Sequence, residues 1–234
     1  MTDLANIRLF ATHPHDCSYL DNEEATTIFV DPNQKVDATL YSNLSERGFR
    51  RSGSHLYRPH CKSCSACVAA RVPAQLFKAS RKQRKCWNRN QDLSVSSTKT
   101  QTDEHYELYA RYIEERHSDG DMYPPTREQF DSFLTPEWGV TEYLEFRRSD
   151  KLVAVAVCDR MSEGYSAVYT YFDPSESRKG LGVFAILWQI ELCKNLGLSN
   201  LYLGYWIKQC QKMSYKTEYR PLELLTENRW IRIS

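Results

Sequence analysis

Over residues 164–172 the sequence sets Val168, Thr170 and Phe172 against Tyr169 and Tyr171 in strict alternation, the period of a strand. Asp173-Pro174 ends that run, and Arg178-Lys179-Gly180-Leu181-Gly182 reads as a turn. Phe184, Leu187, Trp188, Glu191 and Leu192 then recur by three and four, which predicts a helix over 183–196. Asn195 and Gly197 supply its stop, and a strand over 200–206 follows at once. The first N–H groups of a helix have no partner within it, so a crossover helix opening at a basic, glycine-bearing turn is a ready anion site. A phosphate-bearing acyl donor is expected to dock there.

Upstream, strands are expected over 142–148, 152–159 and 164–172, as a meander because the gaps are short. A helix is expected over 103–117, with acids in its first turn and a stripe of Tyr106, Tyr109 and Ile113. Thr126-Arg127-Glu128-Gln129 is a capping-box pattern opening a shorter helix to Leu134. Nearer the start come a strand over 25–30, a helix over 37–47 closed by Gly48, a turn over 49–53, a strand ending at Tyr57-Arg58-Pro59, and strands over 68–72 and 91–98. Residues 1–15 read as irregular, and nothing is assigned after Tyr219. A shift in composition near 98–103 divides the chain into a cysteine-bearing region, 1–98, and a second region, 99–234. The fold class is α/β, of the α+β kind with a mixed sheet. Three strands, a glycine turn, a helix and a strand is the order of the N-acetyltransferase-like (GNAT) fold, although strand–helix alternation suits other α/β folds too.

With 234 residues, 41% of them hydrophobic, the chain can bury a sizeable core as one large domain or two small ones. Lys and Arg number 31 against 30 Asp and Glu, so any nucleic-acid contact must be local. No stretch approaches the roughly 18 apolar residues of a membrane span. The first twenty residues lack a basic segment followed by an apolar one, so a cytoplasmic location is expected. The eight cysteines are then expected as reduced thiols, some holding a metal.

Four groups of residues carry chemistry. Cys61, Cys64 and Cys67 have the spacing of a metal knuckle. A fourth ligand for zinc or an iron–sulfur cluster would come from Cys17, or from His60, His15 or His13; the alternative is three small buried thiols. Lys78, Arg81, Lys82, Lys85 and Arg89 share one face if this segment is helical, a stripe suited to tracking phosphates, or else simply a solvated face. The turn with Arg178, Lys179, Gly180 and Gly182 keeps the glycines of an acetyl-CoA pyrophosphate loop but has Ser177 where acetyltransferases carry Arg or Gln, which points to a different donor. Lys212, Tyr215 and Lys216 cluster beyond a strand whose Gly204 permits close approach of a ligand, and they could meet a terminal adenosine or a carboxylate.

Taken together, CSYL (17–20), GFRRSG (48–53), YRPHCxxCxxCxxxRV (57–72), the basic run ending in NRNQDL (88–93), YFDP (171–174), GLG (180–182), LGL (196–198), LYLGYWI (201–207) and KMSYK (212–216) make the chain resemble the bacterial aspartate/glutamate leucyltransferases. These are leucyl-tRNA–protein transferases related to the eukaryotic arginyl-tRNA–protein transferases. The resemblance spans nearly the whole chain. It implies an N-terminal cysteine-bearing region, a C-terminal GNAT-like domain, and transfer of leucine from leucyl-tRNA to the N-terminal Asp or Glu of proteins, creating a degradation signal. Where the eukaryotic relatives carry C-G-Y-C, this chain has Cys17-Ser18-Tyr19-Leu20, one cysteine fewer. The donor is an activated ester, so no cofactor is required for transfer. Asp173, which could equally be a turn residue before Pro174, is the candidate proton acceptor, with Tyr169 and Tyr171 as orienting groups. An acidic N-terminal side chain needs a cation; Arg50, Arg51 and Arg58 are the candidates, with Arg71 behind them. The alternatives are an arginyl-tRNA–protein transferase, an acetyl-CoA N-acetyltransferase, and a non-catalytic RNA-binding module with a zinc knuckle.

Overall fold

The computed structural model describes residues 7–136 and 138–233; residues 1–6, part of the start expected to be irregular, lie outside them. In chain order the first strands are β1 (Leu9–Ala11), β2 (His15–Asp16), β3 (Glu24–Ala25) and β4 (Thr27–Val30). Helix α1 (Ala38–Glu46), capped by the Asp37 side chain on the Leu40 amide, is followed by β5 (Arg50–Ser52), β6 (His55–Pro59) and β7 (Val68–Pro73). Helix α2 (Arg81–Arg89), β8 (Leu93–Thr98), α3 (Asp103–Arg116) and α4 (Arg127–Leu134) lead into β9 (Thr141–Arg148), β10 (Lys151–Arg160) and β11 (Gly164–Phe172). Helix α5 (Leu181–Asn195), β12 (Asn200–Trp206), β13 (Leu222–Thr226) and β14 (Arg229–Ile233) complete the chain.

Eight strands form one mixed sheet in the order β14-β13-β7-β12-β11-β10-β9-β8, and β1-β4-β6-β5 form a second. The expected meander is β9-β10-β11, antiparallel throughout, and α5 crosses over to bring β12 parallel to β11. The expected composition boundary falls between β8 and α3, yet β7 and β8, on its N-terminal side, belong to the large sheet. β7 lies between β12 and β13, and β8 forms the far edge on β9.

Two segments without assigned structure are strands. Leu9–Ala11 pairs with β4. The tail is a hairpin whose Glu227 and Asn228 both take positive φ (51° and 61°), the two-residue geometry that matches strand twist. The 49–53 turn is itself largely β5, paired with β6.

Residues 152–159 of β10 are buried on both faces. Ala154, Ala156 and Cys158 face α5 with Phe184, Leu187 and Ile190, while Val155 and Val157 face α3 and α4 with Tyr109, Phe130 and Tyr143. A strand sandwiched between helices on both sides reads as one apolar run. Each large apolar side chain so buried contributes about 1.5–3 kcal/mol, which fixes the sheet rigidly beneath α5. No helix of the described residues is long and apolar enough to cross a membrane.

Candidate active site

β11 and β12 pair only from Gly164↔Asn200 to Ser166↔Tyr202, and beyond that point they part. On the other side of β11 the register with β10 passes from Val157↔Tyr169 to Cys158↔Ala167, leaving Val168 as a bulge. Val168 therefore has no register partner on either neighbour, and a bulge residue's polar backbone is free for other work. β12 has its own register shift against β7 between Tyr202 and Gly204, where Gly204 takes φ +80°, a conformation that costs other residues strain. The divergence opens a cleft of about 710 Å³, walled by residues 166–170 of β11, by Leu203, Gly204 and Tyr205 of β12, and by Gly182, Val183 and Ile186 of α5. Tyr112, Met122, Phe133 and Phe172 add apolar surface, and Tyr19 and Tyr57 close the side toward the small sheet.

The charge in this cleft is one-signed. Arg50, Arg51, Lys212 and Lys216 line it, with His117, and no Asp or Glu is among its lining residues. His117 accepts or donates one hydrogen bond with the Tyr112 hydroxyl (3.1 Å). Burial, then Lys212 and Arg116, hold its pKa below the ordinary value, so the imidazole is neutral near pH 7.

The four arginines assigned to an acidic substrate have separate fates. Arg50 is 5% exposed, its guanidinium makes one long bond from Nη2 to the Ala70 carbonyl (3.4 Å), and Nε and Nη1 have no partner. It lies 5.3 Å over the Tyr202 ring, and burial lowers its pKa. Arg51, by contrast, is saturated. It grips both oxygens of Asp159 (2.5 and 2.8 Å) and donates to the Leu134 carbonyl (3.1 Å) and the Thr141 hydroxyl, so it ties the small sheet to β10. Arg71 is bound to Glu46 and Glu223 and stacks 4.1 Å over Trp230. Arg58 donates to the Arg47 carbonyl (3.0 Å) and opens on a different groove, with Phe49 and Trp230. Of the two that line the cleft, Arg50 and Arg51, only Arg50 keeps guanidinium nitrogens without a partner.

Asp173 does not reach the cleft. Its carboxylate caps the 3₁₀ turn Pro174–Lys179, accepting from the Ser175 amide and hydroxyl, and pairs with Lys151 at 2.6 Å. Burial opposes its charge, but the Lys151 and Ser175 bonds prevail and lower its pKa, the reverse of what a proton acceptor needs. Tyr171 is fully buried in the aromatic cluster beneath α3. Tyr169 lines the cleft, its hydroxyl kept protonated by burial.

On the donor side the expected pieces come together. Arg81, Lys82, Lys85 and Arg89 of α2 and the preceding Lys78 are exposed, while the opposite face of α2 stacks Trp87 on Trp188 of α5 (5.7 Å). Arg89 and Asn90 donate to the carbonyls of Arg178 (2.6 Å) and Lys179 (2.9 Å), and Gln83 donates to the Glu218 carbonyl (3.1 Å). The basic helix is thereby fixed to both segments that border the cleft mouth: the 178–180 loop and the turn Gln211–Glu218, which carries Lys212, Tyr215 and Lys216. Gly180 (φ +72°) starts α5 without a side-chain cap, so the first-turn amides face outward. Gly182 lines the cleft, and Lys212 has a long ion pair to Asp119 (3.6 Å) at the surface.

The zinc or iron–sulfur site expected at Cys17, Cys61, Cys64 and Cys67 is not supported. The four line one small cavity of about 40 Å³, yet among the described residues no three His, Cys, Asp or Glu are placed to hold a metal ion. Cys61 turns its thiol toward the Thr26 carbonyl (3.8 Å). Burial, with Cys61, Cys17 and Cys64 beside it, pushes Cys67 up to about 11, which favours a thiol over the thiolate a metal binds.

Sequence reasoning missed Tyr112, His117, Tyr57 and Tyr205. His117 follows the last turn of a helix and gave no spacing signal; Tyr57 and Tyr205 read as strand residues. Strict alternation would have misled here, because the register shift between Tyr202 and Gly204 sends Leu203 into the core beneath α5 and turns the Tyr205 hydroxyl to the Gly48 and Tyr57 carbonyls.

Comparison with known proteins covers most of the chain. A model of the N terminus of arginine-tRNA-protein transferase matches residues 15–85, and one of its C terminus matches residues 104–226. An aspartate/glutamate leucyltransferase of Saccharophagus degradans is 57% identical over 233 residues, 99% of either chain. Those of Pseudomonas syringae pv. tomato and Pseudomonas putida are 55% and 54% identical, over 99% and 100% of each chain. Among solved structures, L-PGS from Bacillus licheniformis aligns with a TM-score of 0.47 at 13% identity, over 60% of this chain and 46% of that one. The glucosamine N-acetyltransferase region of a fungal β-N-acetylglucosaminidase aligns with 0.41 at 12%, over 82% and 21%.

Proposed function

The chain belongs to the arginine-tRNA-protein transferase family, and from that premise we propose that the cleft joins the leucyl ester of leucyl-tRNA to the α-amine of a protein that begins with Asp or Glu. It is an aminoacyl-tRNA–protein transferase of the aspartate/glutamate leucyltransferase kind. The observation that carries the substrate reading is Arg50, a buried guanidinium with two unpartnered nitrogens in a cleft lined by no carboxylate. Burying a charge unpaired is costly, and an acceptor's Asp or Glu side chain supplies the missing anion with a charge-assisted bond. The same one-signed lining favours leucine over arginine as the donor residue. A leucyl side chain finds Tyr112, Phe172, Val183 and Ile186, whereas an arginyl side chain would meet Arg50, Lys212 and Lys216 and repulsion.

The ester is already activated, so the protein's tasks are alignment, removal of one proton and stabilisation of the tetrahedral oxyanion. The backbone at the Val168 bulge, which has no register partner, is the polar group offered to that oxyanion at the point where the strands part. The α2 stripe, with Lys78, Arg81, Lys82, Lys85 and Arg89, tracks the tRNA backbone, and the 178–182 turn takes phosphate near its charged end. The leucylated N-terminus then serves as a degradation signal. A cytoplasmic setting agrees with eight free cysteines.

The test is transfer of labelled leucine and labelled arginine from their tRNAs to peptides that begin with Asp, Glu, Arg or Ala. Leucine is expected on Asp and Glu alone. Arginine transfer, or leucine on Ala, would sink this reading.

A further inference from the structure

We propose that Lys216 takes the proton from the acceptor's α-ammonium group, an assignment that rests on the leucyl-transfer reading above. Lys216 is 7% exposed and lines the cleft. Its Nζ donates to the carbonyl of Tyr205, and an added Cβ on Gly204 would stand 3.6 Å from it. No carboxylate pairs with it among the described residues, although buried lysines ordinarily come with one. Its position answers a substrate need, since Arg50 lines the same cleft closely enough for the two positive charges to act on each other. An Asp or Glu side chain held by Arg50 carries its own α-amine one or two methylenes away, in the same part of the cleft.

The chemistry of the site suits the transfer. Burial first, and Arg50 second, lower Lys216 from 10.5 to about 8, with Cys210 pulling the other way. The other charged or titratable residues that line the cleft are Arg51, His117, Lys212 and seven tyrosines, among them Tyr57 of β6, Tyr205 of β12 and Tyr215 of the turn that carries Lys216. None of them is an acid that would restore the ordinary value. A protein α-amine titrates at about 7.7–8.0, so the proton passes between closely matched groups. The neutral Lys216 amine takes one proton from the α-ammonium. The freed lone pair attacks the ester carbonyl carbon, the C–N bond forms, and the bond from carbonyl carbon to ribose oxygen breaks. The second amine proton goes to that ribose oxygen, giving the amide, the free tRNA hydroxyl and a lysine ammonium that returns its proton to solvent. Asp173 has no part in these steps.

Lys216→Arg separates this role from charge alone, because it keeps the cation and cannot accept a proton. Transfer of leucine from leucyl-tRNA to Asp and Glu peptides is followed from about pH 6 to about pH 10 for the unmodified chain, Lys216→Arg and Lys216→Met, with folding checked by circular dichroism. In Lys216→Arg, kcat is expected to fall roughly 10²–10⁴-fold near pH 7 with peptide KM within about threefold. The deficit should shrink at high pH, as solvent deprotonates the α-amine. Should the arginine variant not fold, Lys216→Met, with no charge to bury, reads the same loss of kcat. A folded variant with kcat within about threefold of the parent, or with its loss confined to KM, overturns the assignment. No transfer by the unmodified chain would overturn the leucyl-transfer reading instead.

Discussion

Arg50 and Arg51 are adjacent on β5, so their side chains leave opposite faces of the strand. Both border the cleft, but only Arg51 meets a carboxylate. Arg51 and Asp159 are 1% and 0% exposed at their side chains, and removing either partner strands a buried charge at a cost of about 3–5 kcal/mol. Arg51→Ala should therefore lower the thermal midpoint sharply and depress transfer to every acceptor alike. Arg50→Met removes a buried cation that no carboxylate hydrogen-bonds, so stability should hold or rise, while acceptor affinity for Asp and Glu peptides falls by about 2–5 kcal/mol. Thermal melts alongside peptide KM values distinguish the two, and a Met variant that binds acidic peptides normally would exclude Arg50 from recognition. A GFRRSG string shows the two residues as equals; only the register with β6 and the position of Asp159, 108 residues away, set them apart. Lys216 presents the same tension between stability and work. From about pH 8 to 10.5 the unfolded chain keeps a proton that the folded chain has released, so stability rises with pH across that window. Below it the full penalty applies. Lys216→Met should gain roughly 1–3 kcal/mol at neutral pH, after allowing for the unmet Tyr205 carbonyl. That gain should vanish above about pH 10.5, as denaturant midpoints measured at both pH values would show.

Helix α2 shows what an element adds to its residues. Ser80 and Gln83 form a reciprocal capping box, worth about 1 kcal/mol, and Trp87 anchors the inner face against α5. Apart from Arg89, which donates to the Arg178 carbonyl, the stripe's cations are exposed on the outer face, and a stripe of fixed spacing follows. Reversing Lys82 and Lys85 to Glu should weaken tRNA binding and reduce the slope of log affinity against log salt by about 1 for each phosphate left unneutralised. The folded fraction should not change, because both side chains are exposed. A salt slope equal to the parent's would remove the stripe from the tRNA path. The charge run was legible in the sequence as a local signal, whereas the helix that carries it was expected only conditionally and its Ser80–Gln83 cap came to light in the structure. The cysteine knuckle was equally legible as a motif, but spacing cannot report whether sulfurs converge. Here they surround a cavity without meeting. Chelation of the purified protein should leave both its melting curve and leucine transfer unchanged, and a loss of either with stoichiometric zinc or iron in the eluate would restore the metal site.

Across the whole molecule, local patterns announced most of the strands and helices from β6 to β12, but the partners of β7 could not be read from them. Its six residues look like the last strand of a cysteine-bearing region, yet Val68 to Pro73 pair with Trp206 to Asn200 on one side, and Arg71 and Ala70 pair with Glu223 and Leu224 on the other. Pairings so distant along the chain leave no periodic trace in either segment. The hairpin at the end went unassigned for the same reason, since Glu46 of α1 is what holds it: Arg71 and the Trp230 indole both donate to that carboxylate (2.8 and 3.1 Å). A fragment comprising residues 99–234 keeps the meander, α5 and the cleft's β11–β12 wall, and composition alone presents it as a self-sufficient unit. It would, however, expose the β7-facing edges of β12 and β13, leave Asp159 buried without Arg51 or the Tyr41 hydroxyl, and strip Phe77 and Trp87 from the core beneath α5. Unpaired edges invite aggregation, and a stranded buried carboxylate costs several kcal/mol against a total stability of about 5–15 kcal/mol. The fragment should therefore show no cooperative thermal transition, whereas the full chain melts in one. A sharp, reversible melt from residues 99–234 alone would mean that the large sheet does not depend on β7.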